Sequence, residues 1–253
     1  MINLNLPYRT KKPREYGLSM ILDKGYPLGF IKDYLELCSD FIDYVKLGWG
    51  SAVVTKDLGK KIDLYKSYNI PISFGGTLFE LFVIQNKIDE FKSFLKDFDI
   101  SYVEISDGTI EIELDKKLRY IEDFAKDFKV LNEVGSKDTY AVVAPKKWVK
   151  ECKSALNSGA WKVIAEGRES GKAGLYRKSS EIRTGLIEEL LDEIDIKDII
   201  FETPQKTQQV WFVKHFGSNV NLGNIAFSEV LSLETLRLGL RSDTLTTFHK
   251  EIS

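Results

Sequence analysis

The sequence predicts an α/β protein, a single-domain (β/α)8 TIM barrel, and three observations carry that prediction. Short apolar runs begin near residues 17, 42, 71, 102, 130, 162, 198 and 220, so strand-like segments recur at a spacing of about thirty residues. Between them lie patterns with apolar residues at three-and-four spacing, as amphipathic helices require. Several of the apolar runs put an acid at or just past their end, the form a buried parallel strand takes when its C-terminal end opens into a polar site. Each strand has a covering helix, which favours a closed barrel over an open doubly wound sheet.

In chain order, residues 1–15 hold two prolines and the basic cluster Arg9, Lys11, Lys12 and Arg14 without periodicity, and they read as an extended N-terminal arm. The barrel is expected over residues 16–253. Gly17 to Leu22 gives the first strand, ending in Asp23-Lys24-Gly25, and Phe30, Ile31, Tyr34, Leu35 and Cys38 mark the first helix. Ile42 to Leu47 forms the second strand, closed by Gly48-Trp49-Gly50. Ile62, Tyr65 and Tyr68 share a helix face before the third strand, Pro71 to Phe74, which ends in Gly75-Gly76-Thr77. Stripes at Ile88, Phe91, Leu95 and at Leu118, Ile121, Phe124 precede the strands at Tyr102 to Ile105 and from Val130. The helix Trp148 to Leu156 stops at Asn157-Ser158-Gly159 and leads into V-I-A-E-G-R-E-S-G, Val163 to Gly171, the sixth strand and its polar end. Strand seven is expected at Asp198 to Glu202, strand eight at Val220 to Leu222, and a closing helix at Leu231 to Leu240.

Composition narrows the function classes. The 36 basic and 38 acidic residues leave a formal charge of -2, so no global field points to nucleic acid or an anionic membrane, and any anion site must be local. No secretory signal or apolar span long enough to cross a bilayer is present, and two separated cysteines, Cys38 and Cys152, read as buried thiols in a reducing, cytoplasmic setting. Self-association into a homo-oligomer is left open. His215 and His249 lie away from the acidic strand ends and are given no role.

The strand ends and the loops after them form the active face of such a barrel. Glu104, Glu133 and Glu166 end three successive strands, and converging carboxylate oxygens suit a hard octahedral cation such as Mg2+. Lys24, Lys46, Lys137, Arg168 and Lys206 stand in the same ring, so a small, negatively charged substrate is expected, with Arg168 able to grip an anion bidentately. Gln205 belongs with that group. Asn221 and Asn224 flank Gly223 at the expected end of strand eight, where barrels commonly bind phosphate.

These residues also carry a resemblance. D-K-G at Asp23, K-L-G-W-G at Lys46, G-G-T at Gly75, E-I-S-D-G at Glu104, E-V-G-S-K at Glu133, E-G-R-E-S-G at Glu166, P-Q-K-T-Q-Q at Pro204, N-L-G-N-I at Asn221 and L-E-T-L-R-L-G-L-R-S-D-T at Leu233 resemble the phosphosulfolactate synthase family, from about Tyr16 to Thr244. The resemblance implies a (β/α)8 barrel lyase that adds sulfite to phosphoenolpyruvate with Mg2+, giving (2R)-O-phospho-3-sulfolactate on the way to coenzyme M. Attack on the methylene carbon would push charge into the carboxylate as an aci-carboxylate, which calls for a divalent ion, cationic neighbours and a proton donor. Lys137, four residues after Glu133, is the candidate general acid, with Lys46 and Lys24 as further candidates. A Schiff-base lysine at Lys137 or Lys206 is the aldolase-like alternative. The family's stress-related members supply a third reading, a barrel that binds a partner without turnover.

Overall fold

The computed structural model describes residues 4–135 and 143–249. Eight strands and their helices alternate along them: β1 (Ser19–Asp23), α1 (Leu28–Cys38), β2 (Tyr44–Leu47), α2 (Ser51–Val54), α3 (Leu58–Ser67), β3 (Ile72–Phe74), α4 (Gly76–Ile84), α5 (Ile88–Asp97), β4 (Tyr102–Ile105), α6 (Leu114–Phe124) and β5 (Lys129–Val134). They continue as α7 (Pro145–Asn157), β6 (Lys162–Ala165), α8 (Thr184–Leu191), β7 (Ile199–Glu202), α9 (Lys206–Phe216), β8 (Leu222–Ile225), α10 (Val230–Arg237) and α11 (Leu245–Phe248). The strands are parallel in the order β3-β2-β1-β8-β7-β6-β5-β4, so the ring is laddered everywhere except between β3 and β4. At that seam the backbone N-H of Gly76 donates to Glu104 Oε1 at 2.6 Å. A side chain at position 76 would place its Cβ 2.4 Å from Ser106 Cβ, so only glycine fits there.

The core has two parts, and the two-residue period of a strand explains why. Outward-facing residues such as Val103, Val130, Val163 and Phe201 join the helix stripes in one large apolar layer. Within it Phe79, Phe91 and Phe124 pack ring against ring at 6.0 to 6.2 Å. Inward-facing Leu18, Met20, Tyr44, Leu131, Ile164 and Ile200 make a separate cluster that plugs the barrel. The residue two places further along four of those strands is charged: Lys46 after Tyr44, Glu133 after Leu131, Glu166 after Ile164, Glu202 after Ile200. The apolar plug is therefore capped on its C-terminal side by a charged layer.

The N-terminal arm is not a separate unit. Arg9 Nε pairs with Glu234 Oε1 on α10 at 3.0 Å, and Arg14 Nη1 pairs with Asp43 Oδ1 just before β2 at 3.0 Å. Residues 4–15 thus line the N-terminal end of the barrel, and Arg9, Lys12 and Arg14 of the basic cluster are spent on internal partners. The eighth strand starts two residues later than the sequence suggests. Leu222, rather than Val220, is level with Ser19 of β1. That displacement sends Asn221 to the end opposite the charged layer. Its Oδ1 accepts from Gly17 N at 2.7 Å and Leu18 N at 3.0 Å, and its Nδ2 donates to the carbonyls of Lys197 and Ile199, each at 2.9 Å. Asn221 is fully buried, so it is a floor brace and not an anion ligand.

Candidate active site

The charged layer floors a cavity of about 280 Å³ at the C-terminal mouth, lined by Lys46, Glu104, Glu133, Glu166, Glu202, Glu169, Arg168 and Asn224 together with Trp49, Thr109 and the Gly75-Gly76-Thr77 turn. At its base the Lys46 ammonium lies 2.9 Å from Glu202 Oε1, 3.1 Å from Glu104 Oε2 and 3.9 Å from Glu133 Oε2. Burial by itself would pull the Lys46 pKa down, but Glu104, Glu202 and Glu133 together outweigh it and hold the group well above its ordinary value. Lys46 is therefore a fixed cation at the centre of the mouth.

Each acid is oriented by a further donor. Glu133 Oε1 accepts from Ser106 Oγ at 2.8 Å, and the Glu133 carbonyl accepts from the buried Lys117 Nζ at 2.9 Å. Lys117 also reaches Asp107 at 2.6 Å, which ties the loop after β4 to β5. Glu166 Oε1 accepts from the backbone N-H of Arg168 at 2.5 Å. Arg168 itself is in the left-handed region, with φ 56°, and its guanidinium is exposed and unpaired among the described residues. Asn224, φ 57°, has a buried Oδ1 without a hydrogen-bond partner. Among the described residues the Arg168 guanidinium is open to an anion, and Asn224 could serve one only through its Nδ2, since Oδ1 accepts.

The other cationic candidates lie elsewhere. Lys24 is at the rim, where it pairs with Glu169 at 3.5 Å across the loops after β1 and β6; both side chains are close to half exposed, so the pair is weak. Lys206, the first residue of α9, turns to Asp243 at 2.9 Å and does not line the cavity. Gln205 caps α9, and its Nε2 donates to the Ser170 carbonyl at 2.6 Å, bracing the loop after β6. A flexible side chain just past a strand end has several exits, and ladder position alone does not choose between them. Lys137 lies outside the described residues. Cys38 and Cys152 are buried, and burial pushes their thiols up to about 11 and about 12, which fits their packing role.

Sequence reasoning missed Thr109, held over the cavity because its backbone N-H donates to Glu80 Oε1 at 2.7 Å. It also gave no role to Tyr176, whose hydroxyl donates to the Glu202 carbonyl at 2.6 Å. Both depend on contacts between residues distant in sequence. The Asp23 carboxylate, an acid at a strand end like the others, turns outward to Lys61 at 2.9 Å and the Tyr65 hydroxyl at 2.7 Å and fixes the β1 turn.

A divalent ion fits this cavity by charge, since among the described residues five carboxylates face two cationic side chains on its wall. Among the described residues no three acids, histidines or cysteines converge as a ready ligand set. Both Glu104 oxygens are engaged, one with Gly76 N and one with Lys46. A hard cation held by one or two carboxylates, water and the substrate matches the donor set better than a three-glutamate cage.

Comparison with known proteins shows the family. A family model described as (2R)-phospho-3-sulfolactate synthase (ComA) matches residues 7–243, so the match begins within the arm and not after it. The phosphosulfolactate synthase of Bacillus subtilis (strain 168) is 46% identical over 245 residues, covering 96% of this chain and 97% of that protein. Its counterpart in Methanocaldococcus jannaschii is 48% identical over 235 residues, covering 90% and 93%. Protein HEAT-STRESS-ASSOCIATED 32 of Arabidopsis thaliana is more distant, 21% identical over 260 residues with 90% and 88% covered. Among solved structures, the 3-hexulose-6-phosphate synthase of Salmonella typhimurium shares the fold at a TM-score of 0.55 and 11% identity, covering 87% of this chain and 97% of that one. No helix among the described residues is long and apolar enough to cross a membrane. On the family match and the two close relatives, the chain belongs to the phosphosulfolactate synthase family.

Proposed function

We propose that this family member, acting in the cytoplasm on small anions, adds sulfite to phosphoenolpyruvate to give (2R)-O-phospho-3-sulfolactate with Mg2+ as cofactor. The observation that carries the reading is the charge balance of the mouth. A wall with an excess of carboxylates repels two anionic substrates unless a cation joins them, and Arg168 and Asn224 supply donors only on the β6 and β8 side. Glu133 and Glu166, on neighbouring strands, would hold Mg2+, with Glu104 orienting Lys46. Bound there, Mg2+ would act as a Lewis acid towards the substrate carboxylate.

The chain's own residues account for the remaining steps. Arg168 and Asn224 grip the anions, and Lys46 keeps a positive charge beneath the carboxylate as charge builds there. The sulfite sulfur forms a bond to the methylene carbon while the C=C π pair moves towards the carboxylate. Lys137 then delivers a proton to the carbon that bears the phosphate. Lys46 is held protonated by its carboxylates, so it is a poor amine nucleophile.

The test is a turnover assay with phosphoenolpyruvate and sulfite, with and without Mg2+. Product only in the presence of Mg2+ is the expected result. Turnover without metal, accompanied by a borohydride-trapped lysine adduct, would favour the aldolase-like reading, and no turnover at all would favour a partner-binding role. Lys137→Arg keeps the charge but is too weak an acid to donate, so kcat is expected to fall about 10²- to 10⁴-fold with substrate binding retained.

A further inference from the structure

Glu202 is nearly fully buried at the C-terminal end of β7 and uses its two carboxylate oxygens for two different elements. Oε1 takes the Lys46 ammonium at 2.9 Å, and Oε2 accepts from the backbone N-H of Gly167 at 2.9 Å. Its own carbonyl is held by the Tyr176 hydroxyl at 2.6 Å. The next residue after Gly167 is Arg168, the exposed cation on the cavity wall. The turn is packed closely against Glu202: a Cβ at position 167 would lie 2.8 Å from the Glu202 carbonyl oxygen and 2.6 Å from Tyr176 Cε2.

We propose that Glu202 is a positioning residue that clamps the Gly167-Arg168 turn to the Lys46 centre, and so fixes where Arg168 presents its guanidinium to the anionic substrate. The consequence for substrate rests on the phosphoenolpyruvate and sulfite reading; the clamp itself does not. Two donors face Glu202, and a carboxylate offers each an oxygen. A carboxamide offers one acceptor only. In Glu202→Gln the charged Lys46 takes that acceptor, because hydrogen bonds to an ionised group are the stronger ones, and Gly167 N-H is left against an NH2 group. Lys46 keeps Glu104 and Glu133, so the change falls on the turn.

The test combines steady-state kinetics with backbone amide exchange on the full chain with Mg2+. Glu202→Gln is expected to raise KM for phosphoenolpyruvate about tenfold while kcat changes less than threefold, and Gly167→Ala, which displaces the turn without touching the Lys46 contact, should do the same. Since both act through one contact, the double variant should be little worse than either single variant. The Gly167 amide should exchange at least tenfold faster in Glu202→Gln. A wild-type KM in both single variants, or effects that multiply in the double, would overturn the proposal. Should the wild type not turn over these substrates, the functional reading fails and amide exchange alone decides: unchanged Gly167 exchange in Glu202→Gln overturns the clamp, faster exchange supports it. If Glu202→Gln does not fold, Tyr176→Phe, which removes the other hydrogen bond to Glu202, should still raise KM, and a wild-type value would count against the clamp.

Discussion

The two ends of the barrel both bury charge, and they handle it in opposite ways. At the N-terminal floor, Arg237 is fully buried, yet its terminal nitrogens donate to the carbonyls of Ser218 and Val220 at 2.7 Å and Leu18 at 3.0 Å. Burial still pulls its pKa well below the ordinary arginine value. Asn221, Arg9 and Arg14 likewise end on backbone groups or single partners that the fold holds in place. At the C-terminal mouth, charged side chains face one another: Lys46 shares three carboxylates, and among the described residues the acids outnumber the cations around the cavity. The floor gives most of its polar groups fixed partners, Arg237 Nε being left without one, and contributes stability. Among the described residues the mouth keeps a negative excess, the kind of cost that functional sites carry.

Four substitutions can break or sharpen that contrast. Arg237→Leu removes the donors of the buried Ser218 and Val220 carbonyls, each costing about 1–3 kcal/mol when unsatisfied, while the Leu18 carbonyl keeps Leu222 N, so urea unfolding should show a loss of about 3–5 kcal/mol. Activity per folded molecule should hardly change. A smaller loss, about 2–3 kcal/mol, is expected for Asn221→Ala, again with KM for phosphoenolpyruvate unaltered. A raised KM there would return Asn221 to the anion site and contradict its place on the floor. Glu133→Gln should show the reverse pattern. Its remaining oxygen can still accept from Ser106 Oγ, so stability in the absence of metal should move by less than about 1 kcal/mol. Titration calorimetry should show weakened Mg2+ binding, with kcat/KM reduced in parallel. Unchanged metal affinity in both Glu133→Gln and Glu166→Gln would remove these acids from the cofactor site.

How far the sequence could be read depended on which geometric variable a residue's role used. Helix stripes such as Phe91 and Leu95 or Ile121 and Phe124 are set by local periodicity, and the structure buries them as the spacing requires. The inward face of a strand is also local: Glu133 two places after Leu131, or Glu166 two places after Ile164, must point the same way as the plug. Height along the barrel axis is not local. A two-residue displacement of β8 keeps the same face inward but moves Asn221 from the mouth to the floor, and that displacement is decided by pairing with β1.

The amino-acid sequence by itself determined the eight alternating units, the inward glutamates and the family, because each is written in short-range pattern or motif order. Tertiary structure alone decided which charges meet. Lys46 comes to lie among Glu104, Glu133 and Glu202, from three other strands, while Lys206 turns away to Asp243 and the arm's arginines are consumed at the floor. The physical reason is that an ion pair depends on a few ångströms between side chains far apart in the chain, a distance fixed only once strand register and loop packing have placed both partners.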